Sequence, residues 1–219
     1  MPLQFDASEA FEESILDIQT LVDYAKDEGG KENEKNRILF LKLAVVSTVT
    51  KFQVFIEAIL SEFLYEIKNS QKRNGDLHLN FRLNSIRLYL NDKIISKKVE
   101  NYTNYSLETF NEIKEITVKT LSFCDDDHAI SSELLFETKF PLGKNGLEEV
   151  TKLFRQIEGK NIFANPPFDI NRFNEILARR HSIIHEDSDR QLTEEIVIQY
   201  KDYMYSVVEY IDEYLYRCK

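Results

Sequence analysis

The sequence predicts an all-α fold from three observations. Only six of its 219 residues are glycine and four are proline, so few positions would interrupt a helix. Apolar residues recur at three- and four-residue steps over most of the chain, which is the period of an amphipathic helix. Charged residues make up 30% and hydrophobic residues 42% of the sequence, a balance typical of a globular protein with a substantial core.

The first two segments predict an antiparallel pair of helices. Asp6 and Glu9 resemble a capping box that opens the first helix, and Gly29-Gly30 would end it. A second and longer helix is predicted over residues 37–68, as a spine against which the other helices pack. One apolar stripe is predicted along the whole of this helix, formed by Leu39, Leu43, Val46, Val49, Phe52, Ile56, Ile59, Phe63 and Ile67.

Residues 70–160 are interpreted as a mostly helical insertion between two halves of the helical core, within a single domain that spans residues 1–219. The pattern loosens after Cys124, and residues 134–140 fit either a short strand or an extended loop. Helices within this region are predicted from Phe81 to Ile95, from Ser106 to Phe123 and from Leu147 to Gln156.

The last third of the chain has clear helix boundaries. Asn165-Pro166-Pro167 predicts a loop, and Asp169 is a plausible N-cap for the helix that follows. A polar run at residues 186–190 predicts a turn, and a final helix is predicted from Thr193. Six tyrosines in that helix could stack on bases, but their spacing mixes core and surface faces and favours ordinary packing with hydroxyls at the boundary.

The N-terminal residues and the cysteines favour a reduced, cytoplasmic protein. The start of the chain has neither the basic residues nor the apolar run of a signal peptide. Without an uninterrupted stretch of about 18 apolar residues, no membrane span is expected. Cys124 and Cys218 lie far apart and form no CxxC pair, so both are expected to be ordinary thiols.

The net charge of −10 is unfavourable for binding nucleic acid, but the charge is unevenly distributed. Residues 68–98 hold eight lysines and arginines against two aspartates. This excess could form a basic patch on an acidic body, or it could be a solvated helical face. On the first interpretation, Arg82, Arg87 and Lys93 line the approach of RNA.

The run from Arg179 to Asp187 gathers two arginines and two of the four histidines. His185 follows Arg180 by five positions, which places the two side chains about 140° apart around an ideal helix. They could converge across a two-fold interface, or within one copy if the helix ended near Ile184. The spacing therefore favours a composite site in a dimer.

The residue types in this run fit metal-independent cleavage of RNA. Histidine can transfer protons near neutral pH, and arginine presents a charged fork to phosphate oxygens. Three simpler interpretations compete: a chance match of the Arg-x4-His spacing, a histidine that caps a helix end, and a zinc site. The zinc site is disfavoured because neither cysteine is nearby in sequence, and no cofactor is expected.

The same residues resemble a known family. Arg180-His181-Ser182-Ile183-Ile184-His185 fits the Arg-x4–6-His signature of the HEPN superfamily, with His181 in the polar position after the arginine. The helix from Asp169, the polar turn and the long final helix are similar to the frame of that motif. Residues 161–165 resemble the approach to this helix in the bacterial RiboL-PSP-like group, and residues 55–60 are similar to the family's second helix.

The resemblance implies a four-helix up-and-down bundle with an insertion, and a homodimer that brings two motifs into one cleft. By carry-over, Arg180 would orient or stabilise the scissile phosphate, His185 would be the general acid or base, and His181 would tune the site or position the RNA. Arg179 is also expected to contact the RNA. Active members are endoribonucleases of toxin–antitoxin and antiphage systems, which implies an antitoxin or defence partner. The rival hypothesis is a non-catalytic dimerisation, nucleotide-binding or partner-binding module. A nucleotidyl-modifying enzyme is disfavoured because the sequence has no Gly-rich phosphate loop followed by paired aspartates.

Overall fold

The computed structural model describes residues 3–29, 33–93, 107–139, 146–186 and 191–219. All regular elements in these ranges are helical, which confirms the all-α fold class. A 3-10 turn at Asn74–Asp76 accompanies seven α-helices in the described ranges. These are α1 (Asp6–Asp27), α2 (Glu34–Asn69), α3 (Leu79–Asp92), α4 (Leu107–Cys124), α5 (Gly146–Glu158), α6 (Ile170–Glu186) and α7 (Glu194–Cys218).

The chain divides into two compact units. Unit 1 contains residues 1–63, 138–152 and 162–219, and unit 2 contains residues 64–137 and 153–161. The predicted insertion at 70–160 therefore overlaps unit 2 closely. Residues 138–152 are the exception, since they belong to unit 1. The interpretation of the whole chain as one domain stays a prediction.

Unit 1 is built on α1, α2, α6 and α7, and contacts between side chains define their directions. The α1–α2 pair is antiparallel, because Asp17 contacts Lys51 and Tyr24 contacts Phe40. The α1–α7 and α6–α7 pairs run antiparallel as well. The four helices therefore alternate up and down, as the family resemblance implies. The contacts that set the last two pairs are Glu12–Tyr205, Gln19–Lys201, Arg172–Gln199 and Asp169–Tyr203.

The predicted apolar stripe of α2 is correct for its second half and wrong for its beginning. Val49, Phe52 and the later members of the series are buried, whereas Leu39 and Leu43 are 53% and 46% exposed. The cause is the three-residue steps from Leu43 to Phe52, since each such step rotates the face by about 60°. Leu43 therefore lies opposite Phe52. The first half of the helix packs through Leu41, Ala44, Val45 and Thr48 instead.

The helix ends are capped partly as predicted. Asp169 accepts a hydrogen bond from the Asn171 amide at 2.9 Å, so the predicted N-cap is confirmed. The final helix starts where it is predicted to start, and its N-cap is Thr193, which accepts a hydrogen bond from the Ile196 amide at 3.3 Å. The capping box at Asp6 and Glu9 is wrong. The first amides of α1 instead donate to a distant carboxylate, since Glu62 accepts from the amides of Asp6 and Ala7. Just before the helix, the amides of Gln4 and Phe5 donate to Asp212.

Unit 2 is organised around α3, which packs on α4. The Phe81 and Phe136 rings stack at 5.2 Å, and Tyr89 meets Phe123 edge-on at 5.4 Å. Residues 134–139 form no strand, which leaves the loop of the two predicted alternatives. It is fixed by the Leu135 amide, which donates to the Ser85 hydroxyl at 2.8 Å.

Some predicted features lie outside the described residues. These are Gly30, the cap at Ser106, Pro141 and most of the turn at 186–190. The described ends of the neighbouring helices agree with their prediction to within a few residues. By length and composition alone, α2 is the one described helix that could cross a membrane. Half of its most apolar window is buried inside the structure, and a single helix of this kind is weak evidence of a membrane span.

Candidate functional site

Arg180 lies on the face of α6 that packs into the bundle. It follows Phe173 by seven positions, so the two side chains lie about 20° apart around the helix axis. Phe173 is fully buried, with its ring 5.4 Å from that of Phe52 on α2. Arg180 is half-buried, and its Nε is buried with no hydrogen-bond partner among the described residues. A permanently charged side chain thus lies on an apolar stripe, with one of its donor nitrogens unpaired among the described residues.

The bundle provides space for this arginine. Val45 precedes Phe52 by as many positions as Arg180 follows Phe173. Because α2 and α6 are antiparallel, Val45 and Arg180 lie at the same level along the helix axes. The buried α2 residues at this level, Ala44, Val45 and Thr48, are small. One turn further, Ile184 on the same stripe of α6 is 44% exposed. Arg180 therefore lies where the apolar core opens to solvent.

His181 and His185 form a pair on the adjacent face of α6. Their ring centroids are 4.4 Å apart and the rings are tilted by 46°. His181 is half-buried and His185 is exposed. The helix continues to Glu186, so it does not loosen at Ile184. The structure therefore brings the two histidines together and leaves Arg180 about 140° from His185 around the axis.

The opposite side of α6 holds a polar network that sequence reasoning missed. The Tyr200 hydroxyl donates to Glu175 at 2.6 Å, and Arg172 donates to the same carboxylate at 2.7 Å. Burial raises the pKa of Glu175, but these two hydrogen bonds outweigh it and the net pKa lies below its ordinary value. Burial and the bond to Glu175 raise the pKa of Tyr200, and Arg179 is close enough to oppose that rise and to lower the pKa of Glu175. The charge pattern Arg172, Glu175, Arg179 on one helix face was the available signal.

The predicted RNA contacts in unit 2 differ in how they are held. Arg82 donates through Nε to the Phe123 carbonyl at 3.2 Å, through one terminal nitrogen to Cys124 at 2.7 Å, and through the other to Asp126 at 2.6 Å. These bonds give Arg82 an intramolecular role at the end of α4, and its role in RNA binding stays a prediction. Arg87 and Lys93 are more exposed, and their RNA contacts also stay predictions.

The tyrosines of α7 behave as the packing interpretation predicts. Tyr200 is fully buried, and the Tyr203, Tyr205 and Tyr210 hydroxyls donate to Asp169, Glu12 and Ile162 respectively.

Metal binding and the cysteines concern other parts of the chain. In the part of the chain that the structure describes, no group of three or more His, Cys, Asp or Glu side chains could hold a metal ion. Both cysteines are free thiols.

This fold and site define a class of helical proteins, those with an Arg-x4-His motif on the third helix of an up-and-down bundle. A family model described as RiboL-PSP-HEPN matches residues 9–217. The chain therefore belongs to the RiboL-PSP-HEPN family, and the resemblance seen in its sequence is confirmed. The search of curated proteins and the search of solved structures gave no match.

Proposed function

We propose that this protein is a metal-independent endoribonuclease that acts as a homodimer. The observation that carries the proposal is Arg180, whose buried Nε has no partner among the described residues and which shares helix α6 with the His181–His185 pair. An unsatisfied buried donor costs about 1–3 kcal/mol of stability, and a role in catalysis is one of the reasons for which such a group is kept. A guanidinium matches phosphate oxygens, and the adjacent imidazoles supply proton transfer.

The proposed reaction is a transesterification. A general base takes the proton of a 2′-hydroxyl, whose oxygen attacks the adjacent phosphorus atom. The bond to the 5′-oxygen breaks, and a general acid protonates that oxygen, so the products are a 2′,3′-cyclic phosphate and a 5′-hydroxyl. His185 is the exposed acid or base, Arg180 stabilises the charge on the phosphate, and His181 tunes the pair.

Two copies are needed because one copy spreads these groups around its helix. Arg180 and His185 lie about 140° apart on a continuous α6, so one phosphate cannot easily reach both from the same copy. In a symmetric dimer, the arginine of one copy can meet the histidine of the other. As a cytoplasmic toxin or antiphage effector, the protein would be controlled by an antitoxin or defence partner.

The first experiment measures RNA cleavage in EDTA by purified wild type, Arg180→Ala and His185→Ala. Each variant should lose at least about 100-fold in rate, because the loss of a proton-transfer group or a charge stabiliser costs this much. His181→Asn should lose about tenfold, as expected for a tuning residue. His128→Ala, an exposed histidine in unit 2, is the matched control. Equal rates for all variants, or 3′-hydroxyl products, would contradict the proposal.

The second experiment tests the composite site by mixing the two inactive variants. If the site joins Arg180 of one copy to His185 of the other, each mixed dimer has one intact site and the mixture regains about a quarter of the wild-type rate. If the mixture stays inactive although the chains exchange, the site lies within one copy. A chain that dimerises but never cleaves RNA would favour the non-catalytic binding module.

A further inference from the structure

Arg179 belongs to the polar network between α6 and α7, and the proposed reaction gives it no role. The network is built on Tyr200, a fully buried residue of α7 whose hydroxyl donates to Glu175 at 2.6 Å. Arg172 donates to the other oxygen of the same carboxylate at 2.7 Å, and its guanidinium lies 4.7 Å above the Tyr200 ring. Both oxygens of Glu175 are therefore engaged within the network.

The network holds Arg179 through a neutral group. The Tyr200 hydroxyl has a single hydrogen, which it donates to Glu175, so its oxygen can only accept a hydrogen bond from Arg179. A guanidinium has five N–H donors, whereas one hydroxyl oxygen accepts two hydrogen bonds at most. The hydroxyl thus fixes the position of Arg179 without neutralising its charge. Arg172, in contrast, forms an ion pair with the carboxylate.

The charges around Arg179 favour an anionic ligand that approaches from solvent. Three arginines at positions 172, 179 and 180 against one glutamate at position 175 leave a local surplus of two positive charges, on a protein whose net charge is −10. The network is also accessible, because the Glu175 side chain is 42% exposed and Arg179 is half-buried. Contacts between such cations and phosphates supply much of the affinity of a protein for RNA.

Arg179 and Arg180 have different directions. Consecutive residues of a helix are rotated by about 100°, so the two guanidinium groups cannot easily reach the same phosphate from one copy. Arg180 is on the face that packs against α2, and Arg179 is on the side of α7. A strand of RNA carries one phosphate per nucleotide, so a second phosphate is available when the first is bound at Arg180.

We infer that Arg179 binds a phosphate of the RNA other than the scissile one, and that the Tyr200 hydroxyl positions Arg179 for this contact. Because the ligand is RNA with its scissile phosphate at Arg180, this contact rests on the proposed function. A bond to a second phosphate is present both before and during cleavage. It should therefore add to the affinity for RNA and leave the rate of the bound complex unchanged. Tyr200 acts through Arg179 and is a positioning residue.

Tyr200→Phe tests the positioning role, because it removes one hydroxyl and changes no charge. The probe is an RNA oligonucleotide with 2′-O-methyl groups throughout, which lacks the attacking hydroxyl and stays intact. Arg179→Ala should weaken its binding about tenfold and reduce the slope of log affinity against log salt concentration by about 0.7, the value for one phosphate contact on a single strand. Tyr200→Phe should weaken binding at least about threefold in the wild-type chain and have no further effect in Arg179→Ala, because the two residues act as a unit.

The matched control is Tyr205→Phe on the same helix. The Tyr205 hydroxyl also donates to a glutamate, Glu12 on α1, at 2.9 Å. Its removal should leave the RNA affinity and the salt dependence unchanged. If Tyr200→Phe binds the probe as tightly as Tyr205→Phe does, or loses as much affinity in Arg179→Ala as in the wild-type chain, the positioning role is overturned. Unchanged affinity and salt slope in Arg179→Ala would overturn the phosphate contact whatever Tyr200→Phe does.

Cleavage kinetics separate the Arg179 contact from the proposed nuclease. On cleavable RNA, Arg179→Ala and Tyr200→Phe should raise KM and leave kcat unchanged, whereas Arg180→Ala lowers kcat. A lower kcat at unchanged KM would place Arg179 at the scissile phosphate and overturn the inference. A chain that shows the expected losses of affinity but cleaves no RNA would keep the Arg179 contact and lose the nuclease. Cleavage in EDTA with unchanged affinity in both variants would do the reverse.

Discussion

Two arginines, one in each unit, show how differently the same side chain can be used. Arg82 in unit 2 is only 14% exposed and each of its three guanidinium nitrogens donates a hydrogen bond. Arg180 in unit 1 is also partly buried, yet its Nε has no partner among the residues described. The first guanidinium is fully used in folding, whereas the second retains a donor that folding does not use.

The partners of Arg82 explain why it belongs to the fold. Phe123 and Cys124 are the last residues of α4, whose carbonyls have no partner within the helix. A cation at the C-terminus of a helix also interacts favourably with the helix dipole. Arg82 therefore holds the end of α4 against α3. Burial alone therefore does not distinguish a structural arginine from a functional one. What distinguishes them is whether the donor nitrogens have hydrogen-bond partners within the fold.

The largest expected change in stability is that of Arg82→Met, which keeps the apolar stem but removes all three donated bonds. We expect the free energy of unfolding to fall by about 2–3 kcal/mol, because two carbonyls and a carboxylate lose a charged donor. Urea denaturation followed by circular dichroism measures this. Arg73→Met is the matched control: its partner Asp127 is 91% exposed, so the loss should be below about 0.5 kcal/mol. Equal losses would break the comparison.

An intermediate effect is expected at Arg37, which joins the start of α2 to the start of α7. It donates two hydrogen bonds of 2.7 Å to Glu194, and this interaction holds the pKa of Glu194 below its ordinary value. A depressed carboxyl pKa stabilises the fold above the unfolded value of about 4.3 and is lost as the pH falls through the lower folded value. Arg37→Gln should therefore cost about 1–2 kcal/mol at pH 7.

The pH dependence is the test of that pair. The difference in unfolding free energy between wild type and Arg37→Gln should start to shrink as the pH falls below the unfolded-state pKa of about 4.3, and it should be lost once the pH passes the lower folded-state pKa of Glu194. Lys51→Gln is a suitable control, because its partner Asp17 is exposed and the loss of this ion pair should change the free energy of unfolding little. A difference that stays constant from pH 7 to pH 3 would show that Arg37 stabilises the fold through packing.

Much of the fold could be predicted because its signals are local. The cap at Asp169, the start of the final helix at Thr193 and the length of α2 follow from neighbouring residues and from the helical period. The beginning of α1 could not be predicted in this way. Its first amides, and those just before it, are satisfied by Glu62 and Asp212, which are distant in sequence and meet it only after the bundle forms. The error at Leu39 and Leu43 has a different origin, since three-residue steps preserve an apolar pattern while rotating its face.

The residue types of the candidate site could be predicted from the sequence, but the contacts of their side chains could not. The spacing of Arg180, His181 and His185 is visible in the sequence, and so is the angle that separates Arg180 from His185. That Arg180 lies on the packed face, with an Nε unpaired among the described residues, depends on how the bundle packs and could not be predicted from neighbouring residues. Arg82 shows the converse: it was grouped with a basic patch, but its acceptors are more than 40 positions away along the chain.

The smallest change in stability is expected for Arg180→Met, and this variant tests the comparison of Arg82 with Arg180 most directly. This change keeps the apolar stem, which can continue the stripe formed by Phe173 and Ile176, and removes a charge whose buried Nε is unpaired. We expect the free energy of unfolding to stay the same or rise by up to about 1 kcal/mol, while RNA cleavage is lost. Urea denaturation beside the cleavage assay measures both. A loss of stability as large as that of Arg82→Met would mean that Arg180, too, serves the fold. A more stable but inactive chain would show that folding tolerates this arginine and that catalysis requires it.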